Sequence, residues 1–249
     1  MEQSYLDYLK NLEIEQFIWT IIALLAVTIF IVIINLFTNR TKKDTFLILG
    51  QSDSGKTLLY VKLRYGQFTQ THTSMKENEG YIKIEDNGKP LVKEPIHIVD
   101  VPGHEKLRFK FLDFVPITRG IIFLIDSSTC VRNVRSIAEY LYEVLSNKDI
   151  SKRRIPILIA CNKSDLITAL PPERIQPILE NEINRLRSTR TAALEHQDLS
   201  EEVEFLGYET KDFKFEHLEN EVQFEKCSVE NEEFKEIKEW IVEIFQNRK

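Results

Sequence analysis

Along the chain, apolar and polar positions fall into three regimes. The first is a single uncharged block of 21 residues, Phe17 to Phe37 (FIWTIIALLAVTIFIVIINLF). A helix rising about 1.5 Å per residue covers a hydrocarbon core of about 30 Å over that length, so the block predicts one transmembrane helix. It is longer than the apolar part of a secretory leader, and no small-residue cleavage site follows it. The second regime begins at Thr45, where short runs rich in β-branched residues alternate with stretches of helical period, as in a mostly parallel sheet covered on both faces. It predicts six strands, Thr45 to Leu49, Tyr81 to Ile84, Ile96 to Val99, Ile121 to Ile125, Ile157 to Cys161 and Val222 to Cys227, and helices at Lys56 to Tyr65, Val131 to Ser146, Pro172 to Arg187 and Asn231 to Gln246. Asn87-Gly88 is a hairpin signal, so the second and third strands should be antiparallel with one at an edge. The third regime, Ser188 to Glu221, is charged with little period and reads as a surface insertion.

Charge orients this plan. Glu2, Asp7, Glu13 and Glu15 precede the block against Lys10, and Arg40, Lys42 and Lys43 follow it. The positive-inside rule therefore puts a short N-terminus (1–16) in the lumen, a span at 17–37, a basic linker at 38–44 and a cytosolic domain at 45–249. A net charge of −6, with no cluster of Lys and Arg that stands out, argues against direct binding to nucleic acid. Three cysteines, Cys130, Cys161 and Cys227, make neither a disulfide framework nor a metal-ligand spacing; Cys161 and Cys227, which end apolar runs, read as buried in a reducing compartment.

Candidate chemistry starts at GQSDSGKT, Gly50 to Thr57, between a strand and a helix. A phosphate-binding loop needs inward backbone N–H groups, a Lys for the terminal phosphates and a hydroxyl for Mg²⁺ at a helix N-terminus; Gly50, Gly55, Lys56 and Thr57 stand at those positions. The base is read elsewhere. Asn162-Lys163-Ser164-Asp165 ends the strand ILIAC, and the Asp165 carboxylate can accept from guanine N1–H and the exocyclic amine, a donor pair that adenine lacks. Asp100-Val101-Pro102-Gly103-His104 ends another strand; Asp100 can hold Mg²⁺ through a water, and Gly103 N–H can reach a γ-phosphate.

In this order GQSDSGKT, a Thr-rich segment, DVPGH, NKSD and a terminal CSV resemble the motif series of small GTPases of the Ras superfamily. Within it, GQSDSGKTLLYVKL, TQTHTSM, DVPGHEKLRFKFL, IAEYLYEVL and LIACNKSD are similar to the beta-subunit family of the signal recognition particle receptor. The resemblance implies an α/β P-loop GTPase fold of Arf-like type behind a membrane anchor, in the endoplasmic reticulum membrane. GTP and Mg²⁺ are the implied ligands. The implied partner is the receptor's alpha subunit, held in a GTP-dependent way, with ribosome or translocon reached indirectly.

Carried over by the same resemblance, the nucleotide contacts fall on Gly50, Gln51, Ser52, Asp53, Ser54, Gly55, Lys56, Thr57 and Leu58, on Thr71, His72, Thr73 and Ser74, on Gly103, on Asn162, Lys163 and Asp165, and on Ser228 and Val229. Mg²⁺ would take Thr57, Asp100 and Thr73, with Thr71 the alternative to Thr73. Two departures stand out. Cys-Ser-Val replaces the usual Ser-Ala, so Val229 should offer its N–H but bring a larger side chain near the base. His104 stands where many small GTPases place the water-orienting Gln, and is the candidate catalytic residue. Ser52 and Asp53, where Ras-like proteins often have glycines, must fit beside the γ-phosphate. With no cation evidently placed for the transition state, a contribution of ~10³–10⁵ in rate where one exists, hydrolysis should be slow. Two readings remain, a cycling GTPase and a GTP-gated binding module. An Arf-like GTPase anchored in another membrane is the alternative identity.

Overall fold

The computed structural model describes residues 18–32, 44–67, 74–86, 89–195, 206–208 and 210–247, in two compact units, Met1–Lys42 and Lys43–Lys249. In the first unit, residues 18–32 form helix α1, whose large apolar side chains are exposed. The two ends of the predicted span, 17 and 33–37, lie outside the described residues, and among the described residues no helix is long and apolar enough to cross a membrane.

The second unit is built on strands β1 (Thr45–Gly50), β2 (Asn78–Ile82), β5 (Ile96–Asp100), β6 (Thr118–Asp126), β7 (Ile157–Asn162) and β8 (Val222–Lys226), with a small hairpin of β3 (Glu85–Asp86) and β4 (Lys89–Pro90). The sheet order is β2-β5-β1-β6-β7-β8. β2 pairs antiparallel with β5 at one edge, and the other neighbours are parallel. All six strands expected from the apolar runs are present, and the second and third pair as the hairpin signal implied. Residues 87 and 88 of that signal lie outside the described residues.

Alternation along buried strands explains why the runs look continuously apolar: successive side chains serve two different cores. Leu47, Leu49, Phe123, Ile157 and Ile159 face the core shared with α4 (Cys130–Leu145) and α6 (Pro172–Glu195). Phe46, Ile48, Ile122, Leu124 and Leu158 face the core shared with α2 (Lys56–Tyr65) and α7 (Lys235–Asn247). Short helices α3 (Phe111–Phe114) and α5 (Lys148–Lys152) fill the connections. Cys161 and Cys227 are free and buried, as expected; Cys130 is free and buried as well, and burial pushes its thiol up to about 11.

Of the stretch Ser188 to Glu221, read from its polarity as a surface insertion, residues 196–205 and 209 lie outside the described residues, and the described part is not all at the surface. Helix α6 continues through Glu195, and Leu206, Phe213 and Phe215 are buried in the α4–α6 core. Arg187, itself buried, donates to the carbonyls of Leu206 (3.0 Å), Tyr208 (3.1 Å) and Lys211 (2.6 Å), pinning the returning chain to α6. Arg187→Met would leave three carbonyls short of a charged donor, so it is expected to cost roughly 3 kcal/mol, read as a lower urea midpoint at unchanged slope.

Candidate functional site

β1 leaves the sheet at Gly50, whose φ of 136° and position against the Leu124 carbonyl admit no side chain. Asp53 (φ 62°) and Gly55 (φ 97°) continue the left-handed turns, so the loop curls over the α2 N-terminus. A cavity of about 290 Å³ opens there, lined by Ser52, Asp53, Gly55, Lys56, Thr57, Leu58, Ser74, Asp100, Gly103 and Lys163 among others. Gly103 sits so close that a Cβ would fall 2.6 Å from Lys56 Nζ, which fits its expected role beside the terminal phosphate.

Lys56 is buried and donates to the Gln51 carbonyl at 2.5 Å; Ser54 Oγ donates to the same oxygen at 2.9 Å. Burial lowers the Lys56 pKa to about 8, against the pull of Asp100 and Asp53. An anion in the cavity supplies what this ammonium lacks, since a nearby opposite charge favours the protonated form. Gln51 contributes its backbone here and does not line the cavity.

The corner beyond Lys56 is oxygen-rich. Thr57 Oγ1 donates to Asp100 Oδ2 (2.8 Å) and lies 3.1 Å from Ser74 Oγ. Asn78 Nδ2 donates to Asp100 Oδ2 (2.9 Å) and Ser74 Oγ (3.2 Å). Asp100 Oδ1 is buried with no hydrogen-bond partner, and burial raises the carboxyl pKa. A carboxylate with one orphaned oxygen next to two hydroxyls fits a hard divalent cation such as Mg²⁺, which binds oxygen ligands. When bound, such an ion neutralises phosphate charge; Thr57 and Asp100 would hold it. Thr71, His72 and Thr73 lie outside the described residues, so of that segment the structure brings in Ser74 alone.

The base end is wired to this loop through one side chain. Asn162 is buried; its Nδ2 donates to the Ser54 carbonyl (2.8 Å), and its Oδ1 accepts from Val229 N (2.9 Å). Ser228 Oγ donates to Asp165 Oδ1 at 2.6 Å, holding an otherwise exposed carboxylate in place. Val229 differs from expectation: its side chain is fully buried in the α2–α7 core. Lys163 adopts φ 61° and donates to Asp126 Oδ2 at 2.8 Å. Asn78 and Asp126 went unread in the sequence. Asp126 had a signal, a carboxylate at the C-terminal end of the run IIFLID, where ligands of such sheets gather.

His104 is exposed, is not among the residues lining the cavity, and accepts from Lys106 N at 3.2 Å through Nδ1. Arg108, near it in sequence, is committed to α4: it donates to Glu143 at 2.6 Å and lies 5.5 Å from the Tyr140 ring centroid.

A parallel sheet with a phosphate loop after its first strand, a cation corner at β5 and a carboxylate held at the base end defines a P-loop nucleotide-binding domain of the GTPase class. Residues 41–222 match the family described as signal recognition particle receptor beta subunit. The receptor's beta subunit from Mus musculus is 35% identical over 257 residues, covering 97% of this chain and 93% of its own. The structure of the mammalian receptor aligns with a TM-score of 0.70 at 36% identity, over 80% of this chain and 99% of that one. The beta subunit with GDP and magnesium from Chaetomium thermophilum aligns at 0.61 and 27%, over 82% and 99%. The chain belongs to the beta-subunit family of the signal recognition particle receptor.

Proposed function

We propose that this chain is the GTP-binding, membrane-anchored subunit of a signal recognition particle receptor. In this reading it holds the receptor's alpha subunit at the endoplasmic reticulum membrane while GTP is bound, for co-translational targeting. The observation that carries the reading is the join of base end to phosphate end through Asn162, with Asp165 held by Ser228: an arrangement for sensing a whole guanine nucleotide. Family membership supports the alpha subunit as partner over an Arf-like role in vesicle traffic. The uncharged block at 17–37, with its acidic-to-basic flanks, supports a single span, a lumenal 1–16, a linker at 38–44 and a cytosolic GTPase domain at 45–249.

Nucleotide state is sensed at Ser74, Asp100 and Gly103, which line the cavity where a γ-phosphate and its Mg²⁺ would lie, with Asn78 bonded to Ser74 and Asp100. Hydrolysis is slow in this reading, because Arg108 is paired to Glu143 and His104 stands off the cavity; His104 remains the residue to orient water once a partner orders its loop. Capture of the alpha subunit by the chain loaded with GTP or GDP, with phosphate release followed over the same period, tests both points. Recovery from the GTP sample alone, with the nucleotide still mostly uncleaved, is the expected result. Equal recovery from both, or rapid cleavage without partner, would defeat the gated-binding view.

A further inference from the structure

Lys62 is a buried charge to which the site described above assigns no role. It lies on α2, about one and a half turns beyond the phosphate loop, with 3% of its side chain exposed. Its Nζ donates to the Glu230 carbonyl at 2.8 Å and stands 3.6 Å from the Glu232 carboxylate. Both acceptors belong to the loop Ser228 to Glu233, which also supplies Ser228 to Asp165 and Val229 N–H to Asn162. That loop is closed by reciprocal Ser228 and Glu233 backbone bonds of 2.9 Å, with Asn231 N on Ser228 Oγ at 3.3 Å and Glu232 at φ 65°. Val229 and Phe234 anchor it in the α2–α7 core, and Lys62 grips it at Glu230, beyond the Val229 anchor. Removing an ammonium from water is costly, and an apolar residue of similar length would fill the same space without that cost. What methionine cannot do is fix a loop carbonyl from the helix that holds the phosphates.

We propose that Lys62 is a positioning residue for guanine recognition, setting the Ser228–Glu233 loop relative to the phosphate helix so that Asp165 and the loop amides meet the base while the phosphates are engaged. It touches no nucleotide itself. The proposal rests on the guanine-nucleotide reading above.

The test uses the full chain in detergent and compares affinity and dissociation rate for GDP and for ADP. Lys62→Met is expected to release GDP ~10-fold faster and to narrow the preference for GDP over ADP by a similar factor, with ADP binding unchanged. Lys62→Arg, which keeps charge and donors, should restore most of the preference. A Lys62→Met chain that melts earlier but discriminates the two bases as wild type does would overturn the proposal, since that is what a merely structural lysine predicts. If Lys62→Met does not fold, Lys62→Gln decides, because its neutral side chain is one atom shorter and loses the Glu230 carbonyl: faster release of GDP with ADP binding unchanged supports the role, and rates for both nucleotides as in wild type reject it. A wild-type chain with no preference for GDP over ADP would instead defeat the guanine reading.

Discussion

Asp165→Asn should weaken GDP and GTP binding by ~100-fold or more and turn the preference toward xanthine nucleotides. The carboxylate is exposed at the end of β7 and fixed by Ser228 Oγ at 2.6 Å, so it is pre-aimed before any base arrives. Guanine offers two donors on one edge, N1–H and the exocyclic amine, and bonds to a charged acceptor are worth ~1.5–3 kcal/mol each. A carboxamide answers one of them with a donor of its own, leaving two N–H groups opposed, whereas xanthine presents an oxygen at that edge. The base is discriminated by which polar groups stay unpaired, the form of selectivity that gives the largest ratios. Competition between GDP and XDP measures it. Retained preference for GDP would place guanine recognition elsewhere, and Ser228→Ala, which frees the carboxylate without changing its charge, should give a smaller loss in the same direction.

The parts of this site visible in the sequence are those whose geometry is local. Gly50 to Thr57 are consecutive, and strand, turn and helix are fixed by the residues themselves, so α2 begins and ends at Lys56 and Tyr65 as its pattern implied. Strand positions were legible because both faces of β1, β6 and β7 are buried, which makes their central residues apolar runs; β6 begins at Thr118, three residues before the predicted start at Ile121. The rest depends on contacts between residues far apart in the chain. Nothing local to Arg108 says that Glu143, 35 positions on, holds it, so its availability to the phosphates could not be decided beforehand. Phe213 and Phe215 are too few and too close together to show a period among charged neighbours, and their burial follows from the Arg187 clamp. Asn78 lies before the predicted strand Tyr81 to Ile84 and carried no reading of its own. It is a donor to Asp100 and Ser74 because β2 pairs Asn78 directly opposite Asp100 on β5, a register set by the sheet as a whole.

Thr57→Asn is expected to lower GTP affinity by ~100-fold, about 2.7 kcal/mol, with a smaller loss for GDP, and to abolish capture of the alpha subunit. The Thr57 hydroxyl is 2.8 Å from Asp100 and 3.1 Å from Ser74, so it stands where the N-terminus of α2, the end of β5 and Ser74 meet. Asparagine replaces that small hydroxyl with a larger group whose NH₂ end repels a cation and whose bulk displaces Asp100 or Ser74. GTP suffers more than GDP because a γ-phosphate and its Mg²⁺ are the groups that would meet Thr57, Ser74 and Asp100 together. Partner capture then follows from population: a ligand shifts a switch only by its difference in affinity for the two states, and here that difference is made at Thr57. GDP affinity in the variant separates loss of the switch from loss of the fold. Capture as tight as wild type by a variant that no longer holds GTP would mean that the partner reads a surface independent of the nucleotide.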